Sequence, residues 1–132
     1  MKYIPLVSRL LLGLMFFVFG LNNILHFIKL PPPTGDALAW MTILSTHGYL
    51  TFVGVIMVIG GLLLLVGRFV PLALTLIAPV IVNILLYHAL LWPHGAAPAV
   101  IAAVLEVVLL IAYHRSFASL FVPDPQADTT KI

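Results

Sequence analysis

Seven residues carry most of the chemistry this sequence can offer: Asn22, Asn23, His26, Asn83, Tyr87, His88 and Glu106. Each lies inside or at the end of a long apolar run. Glu106 is the most expensive, in the middle of AVIAAVLEVVLLIAY. An acidic side chain at the centre of a membrane helix costs on the order of 2.5–3.5 kcal/mol. Its position predicts that it faces the interior of a helix bundle, hydrogen-bonded or protonated. Such a carboxyl could handle a proton or orient a ligand; equally, it could be a buried hydrogen-bonding group that fixes helix register.

The run FVPLALTLIAPVIVNILLYHALL, residues 69–91, has no formal charge but spaces Thr75, Pro79, Asn83 and Tyr87 four apart. In a helix they form one stripe. Pro79 has no N–H and displaces the carbonyl of Thr75, which predicts a kink. Asn83 lies at a depth similar to that of Glu106 on an antiparallel neighbour, so a direct Asn83–Glu106 contact is expected. Asn22 and Asn23 precede His26 by four and three residues, which places at least one Asn on the face of the histidine. His88 and the loop residues His47 and His94 fall toward the same end of the chain's hairpins, and His114 toward the other.

Together these residues predict a polar pocket in one half of a bundle, with Phe16, Phe17 and Phe19 nearby. A mostly apolar cleft with a few convergent polar groups is the usual form of a small-molecule site, and a quinone or another amphipathic ring would suit it. The alternative is a polar network that only holds the helices together. Histidines on facing helices can ligate haem or a metal, but no HxxxH or ExxH pair is present, and neither haem nor metal is expected. No catalytic residue is assigned. Ser8, Ser45, Ser116 and Ser119 stand outside any GxSxG setting, and Walker and dinucleotide motifs are absent.

The elements that must position these groups follow from composition. Of 132 residues, 63% are hydrophobic and 8% charged, with a mean hydropathy of +1.22. Soluble domains are about 25% charged, so the class is integral membrane. The absence of cysteine excludes disulfide frameworks and thiol chemistry. Six basic against four acidic residues suit anionic lipid, with no basic cluster for nucleic acid.

A span needs about 20 apolar residues, and lipid leaves the helix as the only form for an isolated span. The expected fold is an all-α, integral membrane four-helix bundle with spans near 4–28, 49–66, 69–91 and 97–113. The first is too long for a signal h-region and lacks a small-residue cleavage site, so it reads as a retained span. An interfacial loop and helix is expected over 29–48, after Pro31-Pro32-Pro33, with Thr34 or Asp36 as its cap. The single domain runs over 1–121 and a flexible polar tail over 122–132. Small residues (Gly13 with Gly20, Gly60 with Gly67, and Ala99, Ala102 and Ala103) suggest close helix packing. Lys2, Arg9, Arg68, Arg115 and Lys131 fall on one side and Lys29 alone on the other. That asymmetry predicts both termini in the cytoplasm.

The segments RLLLGLMFFVFGLNNILHF, GGLLLLVGRFVPLALTLIAPVIVNILLYHALL and LEVVLLIAYHRSFASLF resemble the DoxX-like family of small bacterial membrane proteins over about residues 9–121. The most specific stretch is 67–88, with GLNN of the first span in support. The resemblance implies a four-helix bundle in the bacterial inner membrane. It also implies association with quinone-linked redox systems or oxidative-stress complexes, and polar groups at Asn23, Asn83, His88 and Glu106. Many members carry an acidic residue where this chain has Met57. The expected function is an accessory or small-molecule-binding subunit of a redox membrane system, without catalysis of its own. One alternative is an oxidoreductase acting on a quinone or other lipid-soluble substrate; a second is an oligomeric small transporter. Expected partners are membrane lipid, a redox enzyme complex and further copies of the chain, and not nucleic acid.

Overall fold

The computed structural model describes residues 2–131; Met1 and Ile132, the outer limits of the expected domain and tail, lie outside the described residues. Among the described residues five α-helices occur in order: α1 (Ile4–Leu25), α2 (Gly35–Thr46), α3 (Tyr49–Val66), α4 (Val70–Leu90) and α5 (Ala97–Ala112). Two 3-10 segments follow, at His114–Phe121 and Thr129–Lys131. No strand occurs among the described residues. Three helices, α1, α3 and α4, are long and apolar enough to cross a membrane. α5 meets that measure only together with the 3-10 segment that follows it at an 81° bend, so the count among the described residues is three, or four if the bent pair is one span.

Local chemistry explains the boundaries. α1, α4 and α5 each carry a proline in their first turn, where its missing N–H leaves no hydrogen bond unmade. α1 stops at His26, whose left-handed backbone (φ 55°) turns its N–H to the Asn22 carbonyl. The Asn22 side chain then accepts the Ile28 N–H at 2.7 Å. The first helix is therefore three residues shorter than its apolar run. Thr34 occupies the N-cap position of α2 in extended backbone, but the side-chain cap expected there is not made. α3 ends at Gly67 (φ 82°), and the guanidinium of Arg9 occupies the place a Cβ would take. Arg9 Nη1 also donates to the Leu64 carbonyl at 3.1 Å, giving the last turn of α3 a cationic cap.

α1 and α3 pack most closely. Gly13 meets Gly61 and Leu64, and Gly20 meets Gly54 and Met57. This pairing shows the two helices antiparallel. A Cβ on Gly61 would stand 2.6 Å from the Phe17 nitrogen and 2.7 Å from the Gly13 carbonyl oxygen. The glycine pairing read from sequence is redistributed: Gly60 packs on Ile77 of α4, Gly67 ends its helix, and Gly54 and Gly61 face α1. α4 packs on α3 and α5, and α5 also on α1. α1 and α4 therefore sit at opposite corners around a core that includes Leu12, Phe16, Leu64, Leu74, Ile77 and Leu109. α2 lies at the far end from the α3–α4 turn and contacts α3.

Beyond α5 the chain continues in the two 3-10 segments. Phe117 of the first 3-10 segment packs against the core. Near the end, Asp128 Oδ1 accepts from Thr130 Oγ1 at 2.6 Å and from Thr130 N at 3.1 Å. These two bonds, the side-chain one foremost, hold the Asp128 carboxyl below its ordinary pKa.

Candidate functional site

The seven sequence-nominated residues do not converge on one pocket; they fall into three places. Asn22, Asn23 and His26 cluster at the end of α1. Asn22 and His26 terminate that helix, with His26 exposed. Asn23 Nδ2 points to the Met57 sulfur of α3 at 3.5 Å. Met57 is buried and belongs to the core, so the position where an acid is expected from the resemblance holds a soft acceptor for Asn23. Phe16 is a core residue and Phe17 lies against Gly61, while Phe19 is exposed. None of the three lines the niche between Trp40 and α4.

Glu106 stands alone in the core. It lies on the buried face of α5 with Ala99, Ala102 and Leu109, at 4% exposure. Neither carboxyl oxygen has a hydrogen-bond partner among the described residues. The expected Asn83–Glu106 contact is not formed. The buried face of α4 consists of Val70, Ala73, Leu74, Ile77 and Ile81, whereas Thr75, Pro79 and Asn83 are exposed. The polar stripe can face outward because its members satisfy themselves. Thr75 Oγ1 donates to the Pro71 carbonyl at 2.9 Å, and Asn83 Nδ2 to the Pro79 carbonyl at 2.9 Å. A side chain bonded to the carbonyl four residues back needs no partner on another helix. α4 continues as one helix through Pro79.

The third place is the α2–α4 corner. Trp40 of α2 stacks on Tyr87 of α4, with ring centroids 5.0 Å apart and planes at 27°. Trp40, Asn83, Leu86, Tyr87, Leu90 and Leu91 line an open niche there. Tyr87 meets the His88 ring edge-on at 5.1 Å. His88 Nδ1 lies 2.9 Å from the Trp92 carbonyl oxygen, and Trp92 packs edge-on against His94 at 4.8 Å. His88 is therefore tied to its own helix end. Among the described residues no three of His, Asp and Glu come together as a metal cluster.

Trp40 is the site residue that sequence reasoning missed. Its signal was available: a lone tryptophan in a short helix between two long apolar runs is positioned to lay a flat ring over whatever helix lies beneath.

The corner therefore offers an apolar floor, a pair of stacked rings, one amide and one phenol, a set that can hold a flat, amphipathic molecule. The fold around it is that of an all-α protein whose long helices match the dimensions of a membrane. No family model matches the chain, and no solved structure matches it. The uncharacterized protein YwoB of Bacillus subtilis (strain 168) is 30% identical to it, over 94% of this chain and 86% of that protein. The chain belongs to the same family as YwoB.

Proposed function

We propose that this is a DoxX-like, four-span protein of the bacterial cytoplasmic (inner) membrane, with both termini in the cytoplasm. Its role is that of a small-molecule-binding, accessory subunit of a redox or quinone-linked membrane system, with no catalysis of its own. The spans are α1, α3, α4 and α5, and α2 lies in the outer interface. The five-to-one division of Lys and Arg between the two sides supports this orientation.

The observation that carries the binding role is the Trp40–Tyr87 stack beside Asn83. Stacked aromatic rings present a flat, polarizable face at low conformational cost. Asn83 uses one amide N–H on Pro79, which leaves its second N–H and its carbonyl oxygen for a ligand. A quinone headgroup matches this set: a planar ring for the stack, two carbonyls for the Asn83 amide and Tyr87 hydroxyl, and an apolar tail for Leu86, Leu90 and the lipid beyond. Solvent extraction of the protein purified from membranes tests the reading. Bound quinone is expected with the native chain and is lost with Tyr87→Ala. Equal quinone in both preparations, or none in either, contradicts it. A reporter fused to the C-terminus and active only in the cytoplasm tests the orientation.

A further inference from the structure

The end of the molecule opposite α2 carries a second unassigned surface. α5 has 16 residues, which at 1.5 Å per residue span about 24 Å, whereas the hydrocarbon core is about 30 Å thick. α1, with 22 residues, spans about 33 Å. α5 is therefore too short to carry the chain out to water. At its end the chain bends by 81° into the 3-10 segment His114–Phe121, which runs nearly perpendicular to α5. Phe117 fastens that segment to the core. Beyond it, Leu120 (70% exposed) and Phe121 (80%) have little protein cover.

The same end is cationic. The antiparallel order of the helices brings the start of α1, the α3–α4 turn and the end of α5 together, and Lys2, Arg68 and Arg115 are all exposed there. Phe69, in the turn, is 66% exposed beside Arg68. Exposed aromatic and aliphatic groups interleaved with exposed cations fit the boundary between acyl chains and headgroups. The apolar groups enter the hydrocarbon, and the long basic side chains reach back to the phosphates.

We infer that His114–Phe121, with Arg68 and Arg115, forms an anchor for anionic phospholipid on the cytoplasmic face. It lies in the membrane plane, with Leu120 and Phe121 immersed. The inference rests on the proposed reading of α5 as a span, and charge complementarity selects the occupant: the cytoplasmic leaflet is the leaflet whose negative surface potential attracts basic groups next to a span.

The chain has no cysteine, so single spin labels can be placed without background. Ser119→Cys reports on the segment and Val104→Cys, at a 56% exposed position of α5, on the span. The full-length protein is reconstituted in vesicles of phosphatidylcholine, with or without phosphatidylglycerol. Collision of each label with oxygen, which partitions into lipid, is compared with collision with a water-soluble nickel complex. The expected result is a lipid-sheltered label at position 119 in the phosphatidylglycerol vesicles, with nickel collisions rising several-fold in phosphatidylcholine alone or with Arg115→Gln. Leu120→Ser with Phe121→Ser should return the label to water. A water-exposed label at 119 in both vesicles, with 104 sheltered, overturns the anchor and leaves the span intact. A water-exposed label at 104 overturns the span and the anchor with it. Shelter at 119 that ignores both lipid charge and Arg115→Gln overturns the choice of anionic lipid.

Discussion

The α1–α3 seam and the α2–α4 corner use their residues in opposite ways. In the seam, Gly13, Gly20, Gly54 and Gly61 let two backbones approach until no side chain fits between them. Arg9 adds a bond to the Leu64 carbonyl and covers Gly67. The contact is dense. At the corner, the rings of Trp40 and Tyr87 meet over an open niche, and Asn83 is bonded to its own helix. One region fixes the arrangement of helices through removal of side chains; the other presents its side chains over an open niche. Groups that contribute little to stability are free to serve binding.

Four substitutions can break or sharpen this contrast, and the largest effect belongs to the seam. Gly61→Ala places a Cβ within 2.6–2.7 Å of two backbone atoms that cannot rotate away, and should destabilise the protein by about 1–3 kcal/mol in an unfolding titration in detergent. A neutral result would mean that α1 and α3 are not in close contact. Glu106→Leu comes next and has the opposite sign. Removing a buried carboxyl that has no partner among the described residues should leave stability unchanged or raise it by about 1–2 kcal/mol. A loss of that size would reveal a hydrogen bond and favour a structural polar network.

At the corner the costs are smaller. Trp40→Ala forfeits an aromatic pair worth roughly 0.5–1.5 kcal/mol beyond its buried area, and should loosen α2 while the packed core of α1, α3, α4 and α5 keeps its melting transition. Cooperative loss of the whole bundle would make the corner as structural as the seam. Asn83→Ala removes one bond to Pro79 at an exposed position, and should change stability by less than about 1 kcal/mol. The same variant is expected to weaken ligand retention measurably, which separates the two roles.

Much of the helical layout was legible from hydropathy and punctuation. The apolar run from Tyr49 ends at Val66 as α3 does, and Gly67-Arg68 marks the turn. Pro31-Pro32-Pro33 bars a helix until α2 begins at Gly35. The direction of the polar residues was not legible. A spacing of four defines a stripe but does not say which way it faces, and burial cost argues for the interior only when a side chain lacks a local acceptor. Thr75 and Asn83 have one, the carbonyl four residues back, and so can face outward. Glu106 has no such option, and its inward direction followed from charge alone. The Asn22–His26 pair looked like a site because helix-terminating residues and ligand-binding residues are the same types. The Trp40–Tyr87 pairing joins residues 47 positions apart on different helices, and no periodicity announces a contact of that kind.

The binding role of the corner is tested most directly by quenching of Trp40 fluorescence. With Trp92→Phe as background, Trp40 is the remaining tryptophan of two, and a short-chain quinone can be titrated into the protein in nanodiscs. The expected result is quenching that saturates, and that becomes weak and linear with Tyr87→Ala. Linear quenching of the same slope in both proteins would contradict a quinone site at this corner.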